Sequence, residues 1–278
     1  FLELSGTLSN NGSVNLQSVG NTTDLRADGN RSILGTGTIT LSNTTANRIL
    51  GVAAGDSLIL GAGQTLQGAG QIGAGTNFNF TNNGTMLGNV SSSLSFSSTG
   101  TVLNNGLVRA DGGNVLVTGG TAFGQSGGGT LSAINGGVVT INGGAVVSGG
   151  VLATSDTGQF TTSSGNTATL ANLSNTGTFN VVNNSDLRLQ GTVNNTGTLN
   201  LGSVGNTTDL VISGLVNLAG NGIRHIRTRP YTPRTNGKAE RFIQTSLREW
   251  AYNRPFETSD DRRRAMAPWI DAYNTTRP

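Results

Sequence analysis

Ser18-Val19-Gly20-Asn21-Thr22-Thr23-Asp24-Leu25 returns letter for letter as Ser203-Val204-Gly205-Asn206-Thr207-Thr208-Asp209-Leu210. Shorter echoes lie between. Asn175-Thr176-Gly177-Thr178-Phe179-Asn180 comes back twenty residues later as Asn195-Thr196-Gly197-Thr198-Leu199-Asn200, and Asn82-Asn83-Gly84 comes back after twenty-two as Asn104-Asn105-Gly106. A period near twenty, with one or two short strands in each repeat, points to stacked coils that are individually too small to bury an apolar face.

The residues around these repeats agree. Ser13-Val14-Asn15-Leu16, Thr38-Ile39-Thr40-Leu41, Ser57-Leu58-Ile59-Leu60 and Leu187-Arg188-Leu189 alternate apolar with outward-facing residues. A period of two marks half-buried strands. Gly and Asn between them suit tight or left-handed corners. Stacked coils place equivalent Asn residues one rung apart, where they can share amide hydrogen bonds. The expected fold over residues 1–220 is therefore a mainly β, right-handed parallel β-helix. Roughly eleven coils at about 4.8 Å per rung would give a rod on the order of 50 Å long. A β-sandwich of hairpins is the alternative, since the same Asn-Asn-Gly triplets also serve hairpin turns.

Composition divides the chain. Of 43 glycines, 41 precede Gly222, whereas all five prolines, all three tyrosines, both tryptophans, His225 and Lys238 follow Asn221. Residues 1–221 carry 5 arginines against 8 acids, and residues 222–278 carry 12 basic side chains against 6 acids. A basic segment of that kind suits weak, non-specific contact with DNA as readily as a solvated helical surface. The chain has no cysteine, which excludes a disulfide framework and thiolate metal sites. No apolar run is long enough to span a membrane as a helix. The opening Phe1-Leu2-Glu3-Leu4 has no basic-then-apolar leader and reads as a fragment.

One glycine motif is discounted. Gly68-Ala69-Gly70-Gln71-Ile72-Gly73 fits the dinucleotide fingerprint, but at this glycine density roughly one match arises by chance. Ala74-Gly75-Thr76-Asn77-Phe78 does not start the helix that the motif requires.

In texture and repeats the first 220 residues resemble the passenger regions of autotransporters and filamentous-haemagglutinin-type adhesins. That resemblance implies a secreted or outer-surface rod, with contact to a host surface or matrix as its usual role.

After Gly237 the period changes. Ala239, Phe242, Ile243, Leu247, Trp250 and Ala251 share a helical face. Asn236 or Thr235 suits the N-cap, and Pro255 lies beyond the end. Thr258-x-x-Asp261 predicts a capping box for a second helix with the stripe Ala265, Met266, Trp269, Ile270 and Tyr273, kinked by Pro268. Ile223 to Thr228 reads as a short strand.

Gly222-Ile223-Arg224-His225-Ile226-Arg227-Thr228-Arg229-Pro230-Tyr231-Thr232-Pro233-Arg234-Thr235-Asn236-Gly237-Lys238-Ala239-Glu240-Arg241-Phe242, continuing to Tyr273-Asn274 and Arg277-Pro278, resembles the C-terminal end of insertion-sequence transposases with an integrase-type core. The resemblance implies an RNase H-like fold with three catalytic carboxylates holding two Mg²⁺ or Mn²⁺ ions for phosphodiester transfer. Glu240 takes the third carboxylate position. Arg224, Arg229, Tyr231, Arg234, Asn236, Lys238 and Arg241 would lie near DNA. An acid in the first turn of a helix also simply favours the macrodipole.

The family's second aspartate is expected in a Thr-Asp-Asn-Gly block upstream. Asp209 follows Thr208 but continues as Leu210-Val211 and belongs to the repeated octapeptide, so it reads as a solenoid residue. One carboxylate cannot build a two-metal site. Three functional readings follow: a surface β-helix joined to a truncated, non-catalytic integrase end, with no cofactor; a DNA transposase using Mg²⁺ or Mn²⁺ in the cytoplasm; or a junction product with no selected function.

Overall fold

The structure is a computed structural model that describes residues 1–218, 243, 245–251 and 256–276. The chain divides into two compact units, Phe1–Arg224 and His225–Pro278.

The first unit is a parallel β-solenoid of about 9 turns. Its strand pairs run parallel throughout, which excludes the hairpin sandwich. Each coil contributes three short strands, and each strand pairs with its counterpart one coil away. The first coil supplies Leu2–Leu4, Leu8–Ser9 and Ser13–Leu16. These start three ladders, of which the first is a 10-stranded sheet ending at Thr198–Leu201. The second and third merge where the ten-residue strands Asp186–Asn195 and Asp209–Leu218 each run through both. Those two strands cross the corner at Gly191 and Gly214, with φ of 62° and 147°. A Cβ on Gly214 would lie 2.9 Å from the Gly191 Cα, so two backbones stack there with no room for a side chain.

The core follows from the alternation. Leu58, Phe80, Val102, Phe123, Val147, Leu170 and Leu189 occupy one inward row of the second ladder, successive coils in register, and all are buried. Ile212 continues that row but is 51% exposed, because it sits on the last described rung. Phe96 and Phe123 meet edge to face at 5.1 Å, and Phe160 stacks on Phe179 at 6.0 Å. Burying each such ring contributes roughly 1.5–3 kcal/mol, which a single coil could not collect by itself.

Polar residues that point inward are paired between coils. Asn82 donates through Nδ2 to Asn104 Oδ1 at 2.8 Å, and Asn104 donates to Gln125 Oε1 at 3.0 Å. Asn175 and Asn195 repeat the arrangement at 2.6 Å. The expected sharing of amides between corners is thus present, with a glutamine in the series.

The expected coil count was too high. Phe160 pairs with Phe179 nineteen residues on, but Leu25 pairs with Ile49 twenty-four residues on. The short repeats legible in the sequence come from coils with tight corners. The N-terminal coils carry longer corners, such as the Val52–Asp56 connection between the strands Asn47–Gly51 and Ser57–Leu60.

In the second unit the described residues form two helical segments. Leu247–Ala251 is a π-helical turn, and Ser259–Thr276 is an α-helix, here α1. The expected strand at Ile223–Thr228 and the start of the first helix lie outside the described residues.

Candidate functional site

The expected capping box at the start of α1 is present in modified form. The Asp261 amide donates to Thr258 Oγ1 at 3.1 Å, satisfying one of the free N–H groups of the first turn. The Thr258 hydroxyl donates in turn to the Asp261 carboxylate at 2.7 Å. Asp260 and Asp261 pair with Arg263 and Arg264 one turn on, on an exposed face. The helix continues through Pro268.

Of the predicted stripe, Ala265, Met266, Trp269 and Tyr273 are half-buried, and Ile270 is 38% exposed. Trp269 lies 6.4 Å from Trp250 and 5.2 Å from Tyr273. Trp250 also donates its indole N–H to the Arg262 carbonyl at 3.1 Å. An aromatic cluster therefore ties the two helical segments together.

The predicted chemistry lies upstream of this cluster. Glu240, Arg224, Arg229, Tyr231, Arg234, Asn236, Lys238 and Arg241 all fall outside the described residues.

Asp209 is described, and it belongs to the solenoid. It begins the strand Asp209–Leu218 and sits in register with Asp186, while its neighbour Leu210 sits on Leu187. The described residues contain no group of three acidic, His or Cys side chains placed to hold a metal ion.

The best-organised ionic group in the described residues lies at the opposite end of the solenoid. Asp24 is 4% exposed and receives two hydrogen bonds from Arg48, at 2.8 Å on each carboxylate oxygen, with Arg26 at 2.6 Å. The Arg48 hydrogen bonds hold the Asp24 carboxyl below its ordinary value; burial opposes this and Arg26 assists it. Arg48 is raised by the same contact. The acid is fully paired, since its acceptors are taken up by Arg26 on its own coil and Arg48 on the next. This is the behaviour of a structural ion pair. No sequence signal had singled it out, because the partners are twenty-four residues apart and meet only through the coil register.

The glycine fingerprint is a short strand flanked by corner glycines, Gly68 and Gly73. Gly70–Ile72 is a strand of the first ladder, and the next element is the strand Asn79–Asn82. Gly68 has φ of 106°, and a Cβ there would run into the Leu41 carbonyl of the previous coil. These glycines serve close coil stacking, as expected.

The family described as Integrase core domain matches residues 221–278. No curated protein and no solved structure gives a match. Among the described residues, no helix is long and apolar enough to cross a membrane.

Proposed function

We propose that this chain is a non-catalytic, adhesin-like surface β-helix joined to the truncated end of an integrase-type transposase core. The observation that carries this reading is Asp209. It is the acid closest to the spacing expected upstream of Glu240, and it is paired into a solenoid ladder beside Asp186. The solenoid contributes an extended outer surface of Thr, Ser and Asn suited to contact with a host surface or matrix. The basic segment adds weak, salt-sensitive attraction to DNA phosphates.

A strand-transfer assay on the full chain with Mg²⁺ or Mn²⁺ tests the catalytic part. The expected result is no product above background. Product formation abolished by Glu240→Gln would overturn the reading. DNA affinity that stayed constant as salt rose would remove the electrostatic component.

The match of residues 221–278 to the Integrase core domain favours a second reading, a DNA integration protein acting by metal-dependent phosphodiester transfer. It predicts the opposite outcome in the same assay. Gene sequence is the other discriminator. Insertion-element sequence starting near codon 221 supports the joined origin, and an uninterrupted homologous gene supports a two-domain protein.

A further inference from the structure

The corner between the strands Thr130–Ile134 and Val138–Ile141 is a four-residue turn, closed by the Gly137 amide donating to the Ile134 carbonyl at 2.7 Å. Its central residues, Asn135 and Gly136, have φ of 53° and 77°. Two positive values in succession mark a type I′ turn. Both residues are exposed. The Gly136 N–H has no hydrogen-bond partner among the described residues.

Asn-Gly dipeptides recur in this chain, and the structure distinguishes them. Four others lie in the described residues, and in each the glycine N–H is engaged. Gly12 donates to Asn10 Oδ1 at 3.2 Å, Gly84 to Asn82 Oδ1 at 3.0 Å, Gly106 to the Asn82 carbonyl at 3.2 Å, and Gly143 to Asn166 Oδ1 at 3.1 Å. The difference matters chemically, because that nitrogen is the nucleophile when an asparagine side chain cyclises.

We propose that Asn135 is a site of spontaneous deamidation selected by the fold, through a succinimide closed by the Gly136 nitrogen. Hydroxide removes the Gly136 amide proton. The nitrogen attacks Asn135 Cγ, a C–N bond forms, and the Cγ–Nδ2 bond breaks. The departing amide takes a proton from water and leaves as ammonia. Water then opens the ring at either carbonyl, giving aspartate or isoaspartate at 135. No oxidant or reductant is involved.

The product changes the corner. Asn135 now donates through Nδ2 to Asp111 Oδ1 at 2.7 Å. On the next coil Asp156 holds the matching turn position, with φ of 54° and a Gly158 amide closing on the Ser155 carbonyl at 3.0 Å. Deamidation deletes a donor and places a third carboxylate between these two. Like charges on adjacent rungs oppose stacking, and isoaspartate adds a backbone methylene to a turn whose length is fixed.

The test is peptide mapping by mass spectrometry after incubating the intact chain in mildly alkaline buffer, folded and in urea. In the folded chain, conversion at Asn135 is expected to be about five-fold or more faster than at Asn11, Asn83, Asn105 or Asn142, the factor one hydrogen bond supplies. In urea the spread should close, because the five dipeptides then share the same local chemistry. Asn135→Ser should remove that conversion and leave the other four unchanged. A folded rate at Asn135 no greater than at the other four, or a preference that persists in urea, overturns the proposal.

Discussion

Asp209 lies in register with Asp186, one rung apart on the same parallel ladder. An aspartate thirty-one residues before Glu240 is thereby committed to backbone pairing within a repeat that also occurs at Asp24. Asp209 is thus part of the solenoid's own fabric.

The buried amide series should dominate local stability. Asn104 accepts from Asn82 and donates to Gln125 and to the Thr130 carbonyl at 3.0 Å. Asn104→Ala leaves the buried Gln125 Oε1 without its donor and removes one of the two acceptors of Asn82 Nδ2, which keeps its bond to the Leu107 carbonyl, at a cost of about 1–3 kcal/mol. Coils in a solenoid contact only their neighbours. Hydrogen exchange should therefore rise in the strands Asn79–Asn82, Thr101–Asn104 and Ala122–Gly124 and stay low at Leu25 and Phe179. Uniform loss of protection along the chain would contradict this.

Asp24 should make the N-terminal coils acid-sensitive. Its folded value is depressed below 3.8. Its stabilising contribution is therefore complete above that value and is lost as pH falls through the lower folded value. Asp24→Asn should destabilise at neutral pH, because it leaves Arg26 and Arg48 without their carboxylate. The gap to the parent should narrow as pH drops below 3.8. Denaturation profiles that stay parallel across that range would rule the assignment out.

The Phe160–Phe179 stack should be measurable as a pairwise term. Phe160→Ala is expected to cost about 3–5 kcal/mol through lost burial and a cavity. A double-mutant cycle with Phe179→Ala should return a coupling of about 0.5–1.5 kcal/mol, since the rings lie 6.0 Å apart and nearly parallel. Strict additivity would mean that the rings contribute only as separate apolar volume.

Both tryptophans lie in the second unit, so indole fluorescence reports on it without background from the solenoid. Trp250→Phe removes the bond to the Arg262 carbonyl while keeping an aromatic ring beside Trp269. The expected outcome is a lower denaturation midpoint for the Trp269 signal, with the far-ultraviolet β signal unchanged. An unchanged midpoint would assign the tie between the helical segments to ring packing alone.

Much of this was legible in the sequence, for identifiable reasons. The parallel solenoid followed from alternation and a period near twenty, because stacking is the only way such small coils bury Leu60 or Phe80. The Thr258 cap followed from a local pattern, and local hydrogen bonds need no tertiary information. The coil count did not follow, because corner length varies freely on the outside of the stack. The Asp24–Arg48 pair did not follow either, since nothing near Asp24 in sequence marks a residue on the next coil.

The repeated octapeptide shows where the boundary lies. Sequence alone determined its local shape. Ser18 donates to the Asn21 carbonyl and Ser203 to the Asn206 carbonyl, the same turn both times. Tertiary structure decided what followed. The first copy runs from the third ladder into the first, where Asp24 meets Arg48. The second runs from the first ladder into the second, where Asp209 meets Asp186. A turn fixes only the direction in which the chain leaves it. The ladder it joins, and hence the partner of its aspartate, is set by how many residues earlier corners have used.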